Sequence, residues 1–320
     1  MDISHVYKEV DGELKILNAK LANEANCQHE LVQNVVSHII QKGKRVRPIL
    51  LILLAKAFGM KNIDEIINSS FAIELIHTAS LLHDDVVDET KKRRGKKTAN
   101  TIWGNKETIL VGDHLFSQAF LAIAQLQNHE ATKIIAQSSS RLTIGEISQL
   151  ENERNVNLTM EQYLDVIYHK TASLFEASAQ LGAIFSQNGS VEYCGEFGKN
   201  IGFAFQIMDD ILDYTGSKTL NKDCGTDFKE RKITLPILLL LGKSFPEKSA
   251  LKQYFSAKSD DFTLKQVTTL LENHNIFQEC NTAMESYTKP AEDFAKNYIK
   301  DKKLANILLD LLKFFTNREI

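Results

Sequence analysis

The sequence predicts an all-α protein, and three observations lead there. Proline is scarce, with four in 320 residues against a usual frequency of ~5%. Apolar residues recur at helical spacing along nearly the whole chain. No sustained period-two alternation, the mark of a half-buried strand, accompanies them.

The elements follow in order. Over 6–40, Leu14, Leu17 and Leu21 and then Leu31, Val35, Val36, Ile39 and Ile40 fall on helical spacing. Gly43 can end a helix, and Pro48 suits the first turn of the next. The segment 49–58 is apolar all round apart from Lys56, which predicts a central helix too short to span a bilayer. A loop around Gly59 leads to a helix over about 64–89. Others are predicted over 106–127, 130–152, 159–187, 191–215, 234–243, 247–256, 263–273, 276–298 and 301–317. On composition alone 233–241 could be a buried strand. Pro236 and its helical surroundings favour a core helix. The whole of 1–320 is read as one domain.

Apolar residues make up 43% of the chain, enough for a substantial core, and the net charge of −3 argues against a nucleic-acid partner. Cys27, Cys194, Cys224 and Cys280 are far apart, with no CxxC pair, so neither a zinc site nor a disulfide framework is expected. The N-terminal residues have no signal-peptide pattern, so a cytoplasmic chain is expected.

Chemistry is concentrated in 79–98, ASLLHDDVVDETKKRRGKKT. Asp84, Asp85 and Asp88 end an apolar helix, and six basic residues fill seven positions from Lys91 to Lys97. Asp209, Asp210 and Asp213 repeat the DDxxD spacing. On a helix i and i+4 share a face, so each motif projects a carboxylate cluster one way. Like charges at this spacing repel, so each cluster calls for a counter-charge. A lone DDxxD is more often a solvated helix end. Two copies on apolar helices without interspersed lysines point to a cleft. Magnesium suits such a cleft, because it takes oxygen ligands and bridges carboxylates to substrate phosphates. Zinc suits it less, despite His77 and His83 nearby.

With these motifs in place the chain resembles the trans-isoprenyl diphosphate synthases, the polyprenyl synthetase family. DDVVD followed by Arg93–Gly95 resembles the family's first aspartate-rich motif, and QIMDDILD from Gln206 to Asp213 its second. GKRVRP at 43–48, HKT at 169–171 and GTDFKERKITLP at 225–236 are similar to further family elements, in order over about 40–240. The resemblance implies a bundle of antiparallel helices around a central cavity, usually a homodimer. It also implies magnesium, three ions per active site.

The implied reaction joins isopentenyl diphosphate head-to-tail to an allylic diphosphate. Asp84, Asp85 and Asp88, and opposite them Asp209 and Asp210 with Asp213 in support, would hold magnesium. Arg93, Lys170, Lys222 and Lys232 would contact the allylic diphosphate, with Thr171 and Gln206 lining the same site. Lys44, Arg47, His77 and Arg94 would bind isopentenyl diphosphate. Arginine's fork pairs with phosphate oxygens, and lysine adds point charge. His77 alone is more often a satisfied helix histidine, and KKRRGKK could be a nucleic-acid or targeting patch. Glu146 and Gln149 are read either as supporting polar groups or as plain surface.

Product length should follow from what blocks the pocket below Asp84. Ala79 and Ser80 are small, and Ile76 lies roughly 12 Å along the helix from Asp84. The expectation is a long C35–C50 product, as for bacterial synthases that make quinone side chains. Phe116 or Phe120 could supply the floor, and Phe314, Phe315 and Arg318 either packing or a flap. The alternatives are a C15–C20 synthase, a terpene cyclase and a non-catalytic synthase subunit. The last two classes usually lack part of the motif set present here.

Overall fold

The computed structural model describes residues 3–24, 28–40, 43–93, 95–216 and 225–316, and nearly all its regular structure is helical. The 6–40 stretch divides into α1 (Ser4–Glu9), α2 (Asp11–Glu24) and α3 (Glu30–Ile40). Next come α4 (Val46–Ala57) and α5 (Ile63–Val87), then a two-stranded hairpin, β1 (Lys92–Arg93) and β2 (Lys96–Lys97). After it run α6 (Ala99–Trp103), α7 (Asn105–Ala124), α8 (His129–Glu151) and α9 (Met160–Ile167). A π-helical turn, Tyr168–Ala172, joins α9 to α10 (Ser173–Ile184), and α11 (Val191–Thr215) follows. The rest are α12 (Thr226–Lys229), α13 (Leu235–Gly242), α14 (Lys248–Phe255), α15 (Leu264–Asn273), α16 (Ile276–Asn297) and α17 (Lys302–Thr316).

Local chemistry sets many of these starts. Asn62 caps α5 by accepting from Asp64 N at 2.9 Å, and Asn128 caps α8 by accepting from Ala131 N at 2.9 Å. Thr159 with Gln162 and Thr263 with Gln266 form capping boxes on α9 and α15. Arg45 enters α4 from the left-handed region, φ 52°. Its guanidinium holds that turn by donating to Asn18, Glu74 and the Ile40 carbonyl.

As expected for a central helix, α4 is buried without a break from Arg47 to Ala55. It packs on α5 and α10, α10 packs on α8 and α11, and α11 on α16 and α17. One apolar cluster fills the space among α1–α8, α10, α17 and the start of α11. A second surrounds the latter half of α11 with α9 and α13–α15. The C-terminal ends of α5 and α11 therefore belong to different clusters. Close approach of α10 and α11 depends on glycine. A Cβ on Gly198 would lie 2.4 Å from the Phe175 carbonyl oxygen, and one on Gly202 2.4 Å from Ala172 Cα. The segment 233–241 is helical, with Pro236 in the first turn of α13. No helix among the described residues is long and apolar enough to cross a membrane.

Gly202→Ala should lower the unfolding free energy by about 1–3 kcal/mol through overpacking, read as a reduced midpoint in urea denaturation. An unchanged midpoint would contradict the contact between α11 and the π-helical turn.

Candidate functional site

Asp84 and Asp85 lie in the last turn of α5, and Asp88 caps it. Asp85 is buried and accepts from Arg93 Nε at 2.9 Å, which ties the hairpin to the helix end. The Asp85 carbonyl also accepts from Asn100 Nδ2 at 2.8 Å and from Thr90 N at 3.0 Å. Burial raises the Asp85 carboxyl and Arg93 opposes the rise. Asp84 is half-buried and, among the described residues, makes no side-chain hydrogen bond. Its carboxyl is pushed up to about 7, first by burial, with Lys170 and Arg93 pulling down and Glu146 and Asp88 pushing up.

The second motif sits near the end of α11. Asp209 is half-buried, while Asp210 and Asp213 are buried. Asp210 accepts from Tyr163 Oη at 2.7 Å, Gln206 Nε2 at 2.9 Å and Leu235 N at 3.3 Å. Thr171 donates in turn to Gln206 Oε1 at 2.8 Å. Burial still pushes the Asp210 carboxyl up to about 6, against the hydrogen bonds from Gln206 and Tyr163. Asp213 accepts from Thr226 N at 3.1 Å and Asp227 N at 3.0 Å, so it holds the returning chain beside α11. Asp227 thereby joins the second aspartate cluster. Burial, then Asp213 and Asp210, raise its carboxyl well above the ordinary range, with Lys232 opposing.

Lys232 joins the first motif to the segment of Asp227. Its Nζ lies 3.4 Å from Asp88 and 2.8 Å from Glu230. Burial alone would lower this ammonium, but Asp88 and Glu230 outweigh it and hold it above the ordinary lysine value. Lys170 projects from the π-helical turn, a geometry frequent at functional sites. Its Nζ meets Glu146 at 2.6 Å. The turn can sit against α8 because Gly145 has no side chain: a Cβ there would lie 2.6 Å from Lys170 N.

A basic set lies at the start of α4. Arg47 is buried, with its guanidinium carbon 4.4 Å from the Phe175 ring centroid. Its Nε is buried without a hydrogen-bond partner. Burial holds this guanidinium down to about 10, with Glu74 opposing. An unpaired cationic donor in the interior is costly unless an anion joins it. Lys44 Nζ lies 5.2 Å from the Phe314 ring centroid, and His77 is half-buried on α5. Phe315 packs edge-on against Phe175 and Phe205, so α17 covers this end of the bundle. Arg94, Lys222, Cys27, Cys224 and Arg318 lie outside the described residues.

Ser80 shares the face of Asp84 and is half-buried, whereas Ala79 and Ile76 are fully enclosed. Of the two candidates for a pocket floor, Phe116 packs 5.7 Å from His83, while Phe120 is turned outward.

Sequence reasoning missed Asp227, Tyr163 and Asn100, and left Glu146 open. Asp227 stood in the GTDFKERK element and could have been read from it. The other three are identified only by the partners the fold gives them. Among the described residues no three carboxylate, imidazole or thiol groups converge on a point to cage an ion. Magnesium does not need such a cage, since it keeps waters and uses one or two carboxylates with substrate phosphates. Asp84, whose carboxyl is raised by burial and by its acidic neighbours, fits that mode.

The polyprenyl synthetase family model matches residues 29–271. The octaprenyl diphosphate synthase of Haemophilus influenzae is 37% identical over 255 residues, covering 78% of this chain and 77% of that protein. Among solved structures, a decaprenyl diphosphate synthase from Rhodobacter capsulatus superposes with a TM-score of 0.92 at 32% identity, covering 99% of both chains. A polyprenyl synthase from Caulobacter crescentus, complexed with calcium and isoprenyl diphosphate, gives 0.92 at 30% identity. That match covers 100% of this chain and 98% of the other.

Asp84 and Asp210 bind protons more tightly in the folded chain than in the unfolded one, so folding takes protons up. Stability should therefore fall as pH rises from about 4, the unfolded carboxyl range, through the folded values of about 6 and about 7. In the metal-free chain these two groups together should remove on the order of 5 kcal/mol across that window, and Asp84→Asn should flatten the upper part of the slope. Denaturant titrations at stepped pH measure it, and a slope that Asp84→Asn leaves intact contradicts the assignment.

Proposed function

The chain belongs to the polyprenyl synthetase family, and from that premise we propose that it condenses isopentenyl diphosphate head-to-tail with an allylic diphosphate. The product is a long-chain, all-trans polyprenyl diphosphate of C35–C50. The observation that carries this reading is the Asp88–Lys232 contact, which joins the first aspartate motif to the segment that Asp213 of the second motif holds. The octaprenyl and decaprenyl synthases among its relatives support the long product.

Asp84, Asp88 and Asp209 are the residues we assign to magnesium. Asp85, Asp210 and Asp213 are occupied by Arg93, by Tyr163, Gln206 and Leu235 N, and by backbone amides of 226 and 227. These three hold the elements that carry the others. When bound, magnesium would stabilise the negative charge that builds on the departing diphosphate. Lys170, Lys232 and Arg93 supply fixed cations for the same charge, in a site where little reorganisation is needed. Gln206 and Thr171 orient that side of the cleft. Arg47, with its unpaired Nε, receives isopentenyl diphosphate together with Lys44 and His77, so the double bond is held near the allylic carbon. Arg94 and Lys222 keep their expected roles in this scheme. No protein nucleophile is required, because the departing diphosphate can accept the released proton.

Three ions per site, a quinone side chain as the product's destination and a cytoplasmic location belong to the same proposal. So do action of 1–320 as one domain and a homodimer. Exposed Ile109, Leu110 and Leu121 on α7 and Ile144, Ile147 and Leu150 on α8 offer an apolar face for a second copy.

The test is incubation of the purified chain with magnesium, an allylic diphosphate and labelled isopentenyl diphosphate, followed by chromatography of the dephosphorylated products. Elongation to C35–C50 is expected. Cyclic hydrocarbon would indicate a cyclase, and silence a subunit. Ser80→Phe should shorten the product by one or more C5 units with the first condensation retained, and Ala79→Phe should act in the same direction. Unchanged product from both variants would overturn the pocket placement.

A further inference from the structure

The proposed reaction uses Arg93 and Arg94 but leaves the other four cations of the basic run without a task. Lys91, Lys92, Lys96 and Lys97 are exposed, and among the described residues none of their ammonium groups makes a hydrogen bond or ion pair. Among the described residues of the run, Arg93 turns inward, to Asp85. The hairpin places like charges opposite each other: Lys92 pairs with Lys97, and Arg93 with Lys96. Such cross-strand pairs repel and oppose the hairpin they decorate.

The hairpin is nevertheless held firmly. Thr98 N donates to the Lys91 carbonyl at 3.2 Å, and the His38 ring contacts the Lys97 carbonyl at 2.8 Å. The positive charge is therefore fixed in place, beside the end of α5 that carries Asp84. The chain as a whole is at −3, so this field is local. Exposed apolar side chains flank the hairpin in the chain, Val87 before it and Ile102 after it.

Fixed lysines beside apolar side chains are the chemistry that an anionic bilayer surface recognises. On the reading proposed above, the product is an apolar chain that water does not dissolve and a bilayer does. A cleft mouth seated against lipid headgroups would let that chain pass directly into the bilayer. We propose that the 91–97 hairpin, with Val87 and Ile102, docks the protein on anionic lipid bilayers at the mouth of its active-site cleft. The product argument rests on the synthase reading, whereas the docking itself can be measured without turnover.

The experiment is co-sedimentation of the full chain with vesicles of phosphatidylcholine alone, or of phosphatidylcholine mixed with phosphatidylglycerol, across a salt series. Binding to the mixed vesicles is expected, lost as salt rises and absent on neutral vesicles. Replacing all four lysines (K91E, K92E, K96E, K97E) should weaken partitioning by a factor of ten or more, since each cation near the surface contributes roughly fivefold. The corresponding four arginine replacements should retain it. A single condensation in detergent should be unchanged in the glutamate variant. Equal binding to neutral vesicles, no binding, or binding that survives the glutamate replacements would overturn the proposal. So would a loss of kcat/KM in detergent with vesicle binding intact, which would make the hairpin a substrate-steering device, or tighter salt-matched retention on RNA than on the mixed vesicles. Failure of the wild-type chain to condense substrates in detergent would count against the synthase reading, and the vesicle result would still decide the docking.

Discussion

Too many carboxylates face one cleft, and much of the molecule can be understood as what keeps them there. Asp84, Asp88, Asp209 and Asp227 gather where α5 and α11 end. Burial raises Asp84 and Asp227, and like charges add to the effect. Holding them ionised costs on the order of a few kcal/mol, and Lys170, Lys232 and Arg93 offset only part of it. The balance is left for cations that arrive with the substrate. A site complete in itself would have less affinity to give to a diphosphate as its charge develops.

The scaffold meets this demand with the remaining aspartates. Asp85 anchors the hairpin through Arg93, Asp210 gathers α9, α11 and the start of α13, and Asp213 secures the chain entering α12. Each is buried and each has donors, as buried carboxylates require. Gly145 and Gly202 let α8 and α11 close on the π-helical turn from two sides, and that turn points Lys170 at the first motif. The acidic cleft and the packed core are therefore coupled through a few short hydrogen bonds.

The fold class was legible because helical periodicity and scarce proline leave little else. The two motifs were legible because DDxxD on an apolar helix is hard to explain otherwise. The division of labour inside each motif was not. Asp84 and Asp85 are adjacent and chemically identical, and only the position of Arg93, brought back by the hairpin, separates them. The hairpin itself has two-residue strands, too short for a period to register. The π-helical turn lay hidden inside a stretch that reads as one continuous helix over 159–187. It depends on Gly145, which lies on another element and is distant in sequence. Glu146 stayed ambiguous for the same reason, since its meaning depends on the Lys170 it meets on the packed turn. The break of 6–40 into three helices had no proline or glycine signal strong enough to place it.

On this reading the site binds magnesium and diphosphate together and either one poorly. Calorimetric titration of magnesium into the chain, with and without inorganic diphosphate, tests it most directly. Coupling must be reciprocal, so diphosphate should tighten magnesium by the same factor that magnesium tightens diphosphate. Magnesium alone should bind weakly and gain at least tenfold with diphosphate, and that gain should be lost in Asp84→Asn and Asp209→Asn. Tight magnesium binding without diphosphate, or no coupling between the two, would contradict it.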